Sequence, residues 1–248
     1  MSLRSSLGLR LGQRFYHRAR GIKVATNTRA SHSVVIPWAT YSPWNDDTEF
    51  LATHQKIQQN TEVDIYRCYE LWSLVRETSH LRGDILEVGV WRGGSGCLMA
   101  AQASRLEPNS TVFLCDTFKG VVKAGIKDSV FKGGEYSDTS IDVVHRLKTG
   151  MGLSNIQLLE GIFPDATGEQ INDQRFSLCH IDVDVYESAK DVLEWVWPRL
   201  VRGGVIVYDD YGFSTCEGVT SLVNEHLQGP GAITLHNLNG HAVVVKID

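Results

Sequence analysis

No apolar run in this sequence approaches the roughly 18 to 20 residues that a membrane-spanning helix needs, so no membrane partner is expected. Cysteine is scarce. The five residues, Cys68, Cys97, Cys115, Cys179 and Cys216, are odd in number and show no CxxC spacing. That pattern argues against a disulfide frame or a zinc site. Four of them lie inside apolar runs, and they read as reduced, mostly buried thiols of a cytoplasmic protein. Acidic residues are absent before Asp46, where seven cations stand: Arg4, Arg10, Arg14, Arg18, Arg20, Lys23 and Arg29. The remaining 17 Lys and Arg face 29 Asp and Glu, an acidic body that argues against nucleic acid as the main ligand. Residues 1–40 are expected to form a basic arm that packs on a partner subunit or is mobile. A transit peptide or a nucleic-acid arm is the less favoured reading. The dinucleotide pattern G-x-G-x-x-G is also missing. Counting from Gly89, its second glycine place holds Trp91, which would obstruct a pyrophosphate.

What is present is ordinary in bulk and informative in order. The 248 residues, 42% apolar and 21% charged, suffice for one large α/β domain with a sizeable core, expected over residues 41–248. No element is assigned within residues 1–40. The aromatic stretch Trp38 to Asp47, broken by Pro43, reads equally as a turn over the core edge or as a lid whose rings meet a substrate. Ile65, Cys68, Leu71, Trp72 and Val75 recur at helical spacing within Thr61–Thr78. The β run from Gly83 to Val90 turns straight into Trp91-Arg92-Gly93-Gly94-Ser95-Gly96 and then a helix, the entry to a doubly wound sheet. The glycines let a ligand approach the backbone, and the helix start offers free N–H donors. Thr111–Cys115 is a second strand closed by Asp116, an acid placed to bind a ribose diol, with an N-cap as the alternative. The glycine-rich stretch Thr117–Ser140 has no period, and a loop this long is usually functional, often a lid.

Ile141–Thr149 reads as a helix, Ile156–Glu160 as a third strand and Phe176–Val183 as a fourth. An amphipathic helix over Ala189–Leu200 follows, stopped by Gly203-Gly204. Val205–Tyr208 is a fifth strand and Ser214–Gln228 a helix. Ala232–Leu238 and His241–Ile247 form a closing hairpin about Asn239-Gly240. A mostly parallel seven-stranded sheet with one antiparallel strand results.

The chemistry gathers where strands should end. His180 to Ser188 releases Asp182 and Asp184 two residues apart, and the next apolar run closes on Asp209-Asp210. Ligands bind beyond the carboxyl ends of parallel strands, so these acids, Asp116, Gly161 and Glu87/Gly89 line one rim. Three carboxylates without a neighbouring His or Cys partner make a hard oxygen site for Mg²⁺, with Mn²⁺ or Ca²⁺ as alternatives. Such a cation lowers the pKa of a bound alcohol. Asp184, on the same strand face as Asp182, could accept the hydroxyl proton, or could orient a neighbour or cap a helix. His180 reads as a satisfied core or surface histidine, and nothing marks His145.

Ile85 to Gly94, Asp116-Thr117-Phe118, Gly161 to Asp165, Asp182 to Ser188 and Asp209 to Gly212 together resemble the macrocin O-methyltransferase family, from about Tyr41 to the C-terminus. The resemblance implies the class I, Rossmann-like methyltransferase fold with helices on both faces of the sheet. It implies S-adenosylmethionine as cofactor and methylation of a sugar hydroxyl on a natural product. Carried over residue by residue, it makes Asp182, Asp209 and Asp210 metal ligands and Asp184 the base. Cofactor contacts are expected from Glu87, Gly89, Val90, Trp91, Gly93, Gly94, Ser95, Asp116, Thr117, Phe118, Gly161, Ile162, Phe163 and Asp182. Val183 stands where that family often carries glycine, which bears on pocket shape. Val185 stands where catechol- and caffeoyl-type enzymes carry a lysine, which disfavours a lysine-assisted phenol mechanism. The expected acceptor is a small-molecule glycoside or saccharide, and the expected assembly a homo-oligomer, a dimer or larger. Methylation of a catechol-like phenol and a non-catalytic cofactor-binding scaffold are the rival readings.

Overall fold

The computed structural model describes residues 12, 14–16, 18, 23–25, 32–35, 37, 39–226 and 229–248. The chain divides into two compact units, Met1–Asp46 and Asp47–Asp248. Most of the basic arm, and Trp38 of the aromatic stretch, lie outside the described residues. Within the first unit two short strands, β1 (Lys23–Ala25) and β2 (Ser33–Val35), pair antiparallel where the sequence suggested no element. Pro43–Asp46 makes one 3₁₀ turn, in keeping with the proline at its start.

The second unit holds seven strands: β3 (Asp84–Val88), β4 (Val112–Asp116), β5 (Ile156–Glu160), β6 (Phe176–Ile181), β7 (Leu200–Tyr211), β8 (Ala232–His236) and β9 (Gly240–Lys246). They form one sheet in the order β5-β4-β3-β6-β7-β9-β8. β9 runs antiparallel to both its neighbours, and the other pairings are parallel. Strand order reverses between β3 and β6, so a crevice opens beyond their carboxyl ends. Helices α1 (Thr48–Ile57), α2 (Ile65–Thr78), α3 (Gly94–Leu106), α4 (Ile141–Met151), α5 (Tyr186–Val196) and α6 (Glu217–His226) cover both faces.

Local chemistry sets the boundaries. Asp64 caps α2 by accepting from Tyr66 and Arg67 N–H, which starts the helix at Ile65 rather than Thr61. Pro198 cannot continue α5, which ends at Val196 and passes through a 3₁₀ turn into β7. Gly203-Gly204 therefore lies inside β7, at its register shift against β6, and is not the helix stop expected. α1, missed in the sequence, is capped by Asp47, whose carboxylate accepts from Phe50 N–H at 2.9 Å and from Trp72 Nε1 at 3.1 Å. Phe176, Cys179, Val192, Val196 and Ile206 are fully buried and fill the core between α5 and the sheet.

Candidate active site

A cleft of about 240 Å³ opens at the crevice. Of the residues singled out in the sequence, it is lined by Gly89, Val90, Trp91, Ser95, Asp116, Thr117, Gly161, Phe163, Asp182, Asp184, Asp209 and Asp210. Glu87, Gly93, Gly94, Phe118 and Ile162 do not line it.

Their placement explains the split. Glu87 pairs with His180 across β3 and β6, and its Oε1 accepts from His180 Nδ1 at 2.9 Å beneath the cleft floor. Gly94 N–H donates to Asn60 O at 2.9 Å, and a Cβ there would stand 2.6 Å from that oxygen. A Cβ on Gly93 would meet Val144 at 2.7 Å. These two glycines admit other parts of the protein, not a ligand. Gly89, at φ 88°, is required for the same reason, since a Cβ would overlap the Asp182 carbonyl oxygen.

Asp116 does two things. Its Oδ2 accepts from Val90 N–H at 2.6 Å and Trp91 N–H at 2.8 Å, and its Oδ1 from Phe118 N–H at 2.7 Å. The glycine turn is thus preorganised by the end of β4. A carboxylate has about four lone-pair positions, so Asp116, which lines the cleft, keeps spare acceptor capacity. The long loop 117–140 has no helix or strand, yet it is tied down. Lys123 Nζ binds Asp165 and Asp191 at 2.7 and 2.6 Å. Buried Asp128 accepts from Tyr186 N–H at 3.0 Å, and Trp91 Nε1 donates to Asp138 at 2.8 Å. The loop forms a wall of the cleft with Val121, Val122, Phe131 and Tyr136.

The acidic side is built differently. β6 ends at Ile181, so Asp184 is not on a strand, and strand alternation does not place it beside Asp182 as expected. A tight turn carries it instead to Asp210 and Cys216. Val185 N–H donates to Val183 O at 2.8 Å and Asp184 sits at φ 65°. Asp210, at φ 66°, lies in the register shift between β7 and β9. Left-handed backbone at two non-glycine residues of one site is local strain that the surrounding sheet must hold.

One oxygen each of Asp182, Asp209 and Asp210 lies within 4.8 Å of the others. Burial, then the charges of Asp209 and Asp210, push Asp182 well above the usual carboxylate range. Burial and the charges of Asp210 and Asp209 raise Asp184 to about 8. Burial and Asp209 raise Asp210 to about 7, and the buried Asp210 Oδ2 has no protein partner. Asp209 is the exception. Burial opposes its charge, but nearby His180, the hydrogen bond with His241 and the charge of Arg67 outweigh it, and its carboxyl stays far below the usual range. Arg67 binds its Oδ2 and also Asp64 at 3.0 Å, while His241 Nε2 stands 2.6 Å from its Oδ1. Converging oxygens, with Asp182 and Asp210 raised and one buried oxygen unpartnered, fit a hard divalent cation, although the site does not lack His and Cys neighbours as expected: His180 and His241 stand against Asp209, and Cys216 against Asp184 and Asp210.

Sequence reasoning missed Arg67, His241, Tyr136, Phe213 and Asn60 to Val63. Arg67 is buried on α2 although arginine is normally exposed, and its partners are Asp64 nearby and Asp209 far along the chain. His180, expected to be a satisfied core or surface histidine, is fully buried and bonded through Nδ1, but its Nε2 has no hydrogen-bond partner and stands 3.7 Å from Asp209 Oδ1, so it is only half satisfied.

Residues 65–229 match the Macrocin-O-methyltransferase (TylF) family. The mycinamicin III 3''-O-methyltransferase of Micromonospora griseorubida is 33% identical over 158 residues, covering 58% of this chain and 61% of that protein. The 8-demethyl-8-(2,3-dimethoxy-alpha-L-rhamnosyl)-tetracenomycin-C 4'-O-methyltransferase of Streptomyces olivaceus is 30% identical over 174 residues, covering 62% and 66%. The chain spans less than two thirds of the length of these two relatives. Among solved structures, the O-methyltransferase NovP superposes with a TM-score of 0.66 at 23% identity, covering 76% of this chain and 83% of its own. CalS11, a calicheamicin methyltransferase, gives 0.62 at 19%, covering 89% and 97%. These likenesses carry the fold, the class I methyltransferase fold expected from the sequence. With the family match spanning most of the sheet and all four rim aspartates, the chain belongs to the macrocin O-methyltransferase family.

Proposed function

We propose that this cleft transfers the methyl group of S-adenosylmethionine to a hydroxyl of a sugar on a glycosylated small molecule. The observation that carries this reading is the meeting of two half-sites on one rim: the Gly89–Trp91 turn held by Asp116, and the four carboxylates from β6 and β7. The description of the tetracenomycin relative names a rhamnosyl group on its substrate, which supports a sugar over a phenol.

Gly89, Val90, Trp91 and Gly161 surround the cofactor's place, with Asp116 accepting from the ribose hydroxyls. Asp182, Asp209 and Asp210 would hold a divalent cation, Mg²⁺ by preference. When bound, that ion supplies Lewis-acid stabilisation of charge developing on the acceptor oxygen. Asp184 takes the acceptor's hydroxyl proton, because its tight turn holds it in the cleft lining beside Asp210. The acceptor oxygen forms its bond to the methyl carbon as the carbon–sulfur bond breaks, and sulfur keeps that electron pair in the departing thioether. Val183, Tyr136 and Phe213 border the acceptor side, where aromatic faces suit a sugar ring. No helix among the described residues is long and apolar enough to cross a membrane. The five cysteines are free and buried. Both support a cytoplasmic enzyme.

The test offers S-adenosylmethionine with a panel of glycosides beside catechols, with Mg²⁺ or with EDTA, to the wild type and to Asp182→Ala and Asp209→Ala. Glycoside methylation that needs Mg²⁺ and falls by about 10²-fold or more in both variants is expected. Full activity in EDTA removes the metal from the reading, and methylation of catechols alone removes the sugar.

A further inference from the structure

β9 is antiparallel to its neighbours, so its first residues, not its last, arrive at the rim where β6 and β7 end. His241 is the second residue of β9 and its side chain is fully buried. Its Nε2 stands 2.6 Å from Asp209 Oδ1 and its Nδ1 stands 2.6 Å from Glu70 Oε2. Glu70 lies on α2, one turn after Arg67, and is partly open to solvent. Asn237 Nδ2 donates to the same Glu70 oxygen at 2.6 Å, while Asn237 Oδ1 accepts from the His241 and Asn239 backbone N–H groups. Gly240 lets this bend pass close to the site, because a Cβ there would meet Phe213 at 2.5 Å and Arg67 at 3.0 Å.

We propose that Glu70 and His241 are positioning residues that set the divalent-cation affinity of the rim by holding the Asp209 carboxylate in one rotation. The inference rests on the metal-assisted reading above. Arg67 grips Oδ2 and His241 grips Oδ1, so the carboxylate cannot turn without breaking both bonds. Arg67 is itself braced by Asp64. The buried His241 ring is held between the two carboxylates, and Glu70 at Nδ1 keeps Nε2 facing Asp209. Each Asp209 oxygen then keeps a lone pair for a cation shared with Asp182 and Asp210. Removing such an orienting partner commonly loosens metal binding 10- to 100-fold without touching the ligands themselves.

Mn²⁺ binding, followed by the paramagnetic signal of the free ion and without cofactor or acceptor, reads this directly. Thermal unfolding in EDTA monitors the fold. Wild type binds Mn²⁺, Asp182→Ala does not, and Glu70→Ala binds about 10-fold more weakly or worse at a similar melting temperature. Glu70→Gln, whose amide oxygen still accepts from Nδ1, keeps most of the affinity. Wild-type affinity in Glu70→Ala overturns the inference and leaves the metal reading standing. Loss in Glu70→Gln as large as in Glu70→Ala overturns the hydrogen-bond role of Glu70. A wild type that binds no Mn²⁺ overturns both readings.

Discussion

The two halves of the cleft solve opposite problems. On the cofactor side the polar groups are satisfied within the protein. The Val90 and Trp91 N–H groups bind Asp116, and Gly94 N–H binds Asn60. On the acidic side three of four aspartates are held above their ordinary range, and only Asp209, with Arg67 against it, is held below it. The first half is complete as folded, whereas the second is arranged around positive charge the chain does not fully supply. The difference teaches that a binding surface can be stored either as rigid backbone or as electrostatic frustration. It also shows where each half will break.

Gly89→Ala should have the largest effect, because the turn and the Asp182 backbone meet there without room for a Cβ. A loss of about 4 kcal/mol or more is expected, enough to leave little folded protein. Urea unfolding and soluble yield measure it, and a variant of near wild-type stability would mean that the two halves are not locked together at this glycine.

A graded effect is expected at His180. Burial alone would lower its pKa, but Asp209 and Glu87 outweigh that and raise it to about 10. An unfolded histidine titrates near 6.5, so between these values the folded state holds the extra proton. The stabilising contribution is therefore complete below about 6.5 and is lost as pH rises toward 10. Unfolding free energies of the metal-free protein at several pH values across that window should fall in the wild type and change less in His180→Gln. Parallel profiles would assign the compensation of Asp209 to Arg67 and His241 alone.

The smallest effect has the opposite sign. Asp182→Asn removes one of the crowded charges and should stabilise the metal-free fold by about 1 kcal/mol, an amount typical of relieved like-charge repulsion. In a domain of this size that is a rise of about 2–4 °C in melting temperature. A lower melting temperature would show that the Asp182 carboxylate carries a structural bond its mutual repulsion with Asp209 and Asp210 does not suggest.

Much of the fold was legible because short β runs closed by Gly or Asp alternate with helical periods. β5 falls where expected, and a hairpin closes the sheet, although its turn is residues 237–239 and Gly240 already belongs to β9. The helix α1 and the true end of α5 were misread, since a capping Asp47 and an interrupting Pro198 outweigh the apolar period. The reach of the strand before Asp182 was also misread, because a residue at positive φ is invisible to a pattern of alternating side chains.

The sequence by itself determined the rim. Strands that end in Asp116, Asp182 and Asp209-Asp210 must, in a parallel sheet, present those acids on one edge, since chain direction fixes which end of each strand faces the crevice. Only the tertiary structure decided what surrounds them. Arg67 comes from a helix before the sheet begins, and His241 from a strand that runs backwards into it. Both reach Asp209 across separations of 142 and 32 residues. No local pattern encodes such a pairing, because the desolvation that makes it matter exists only once the chain has folded.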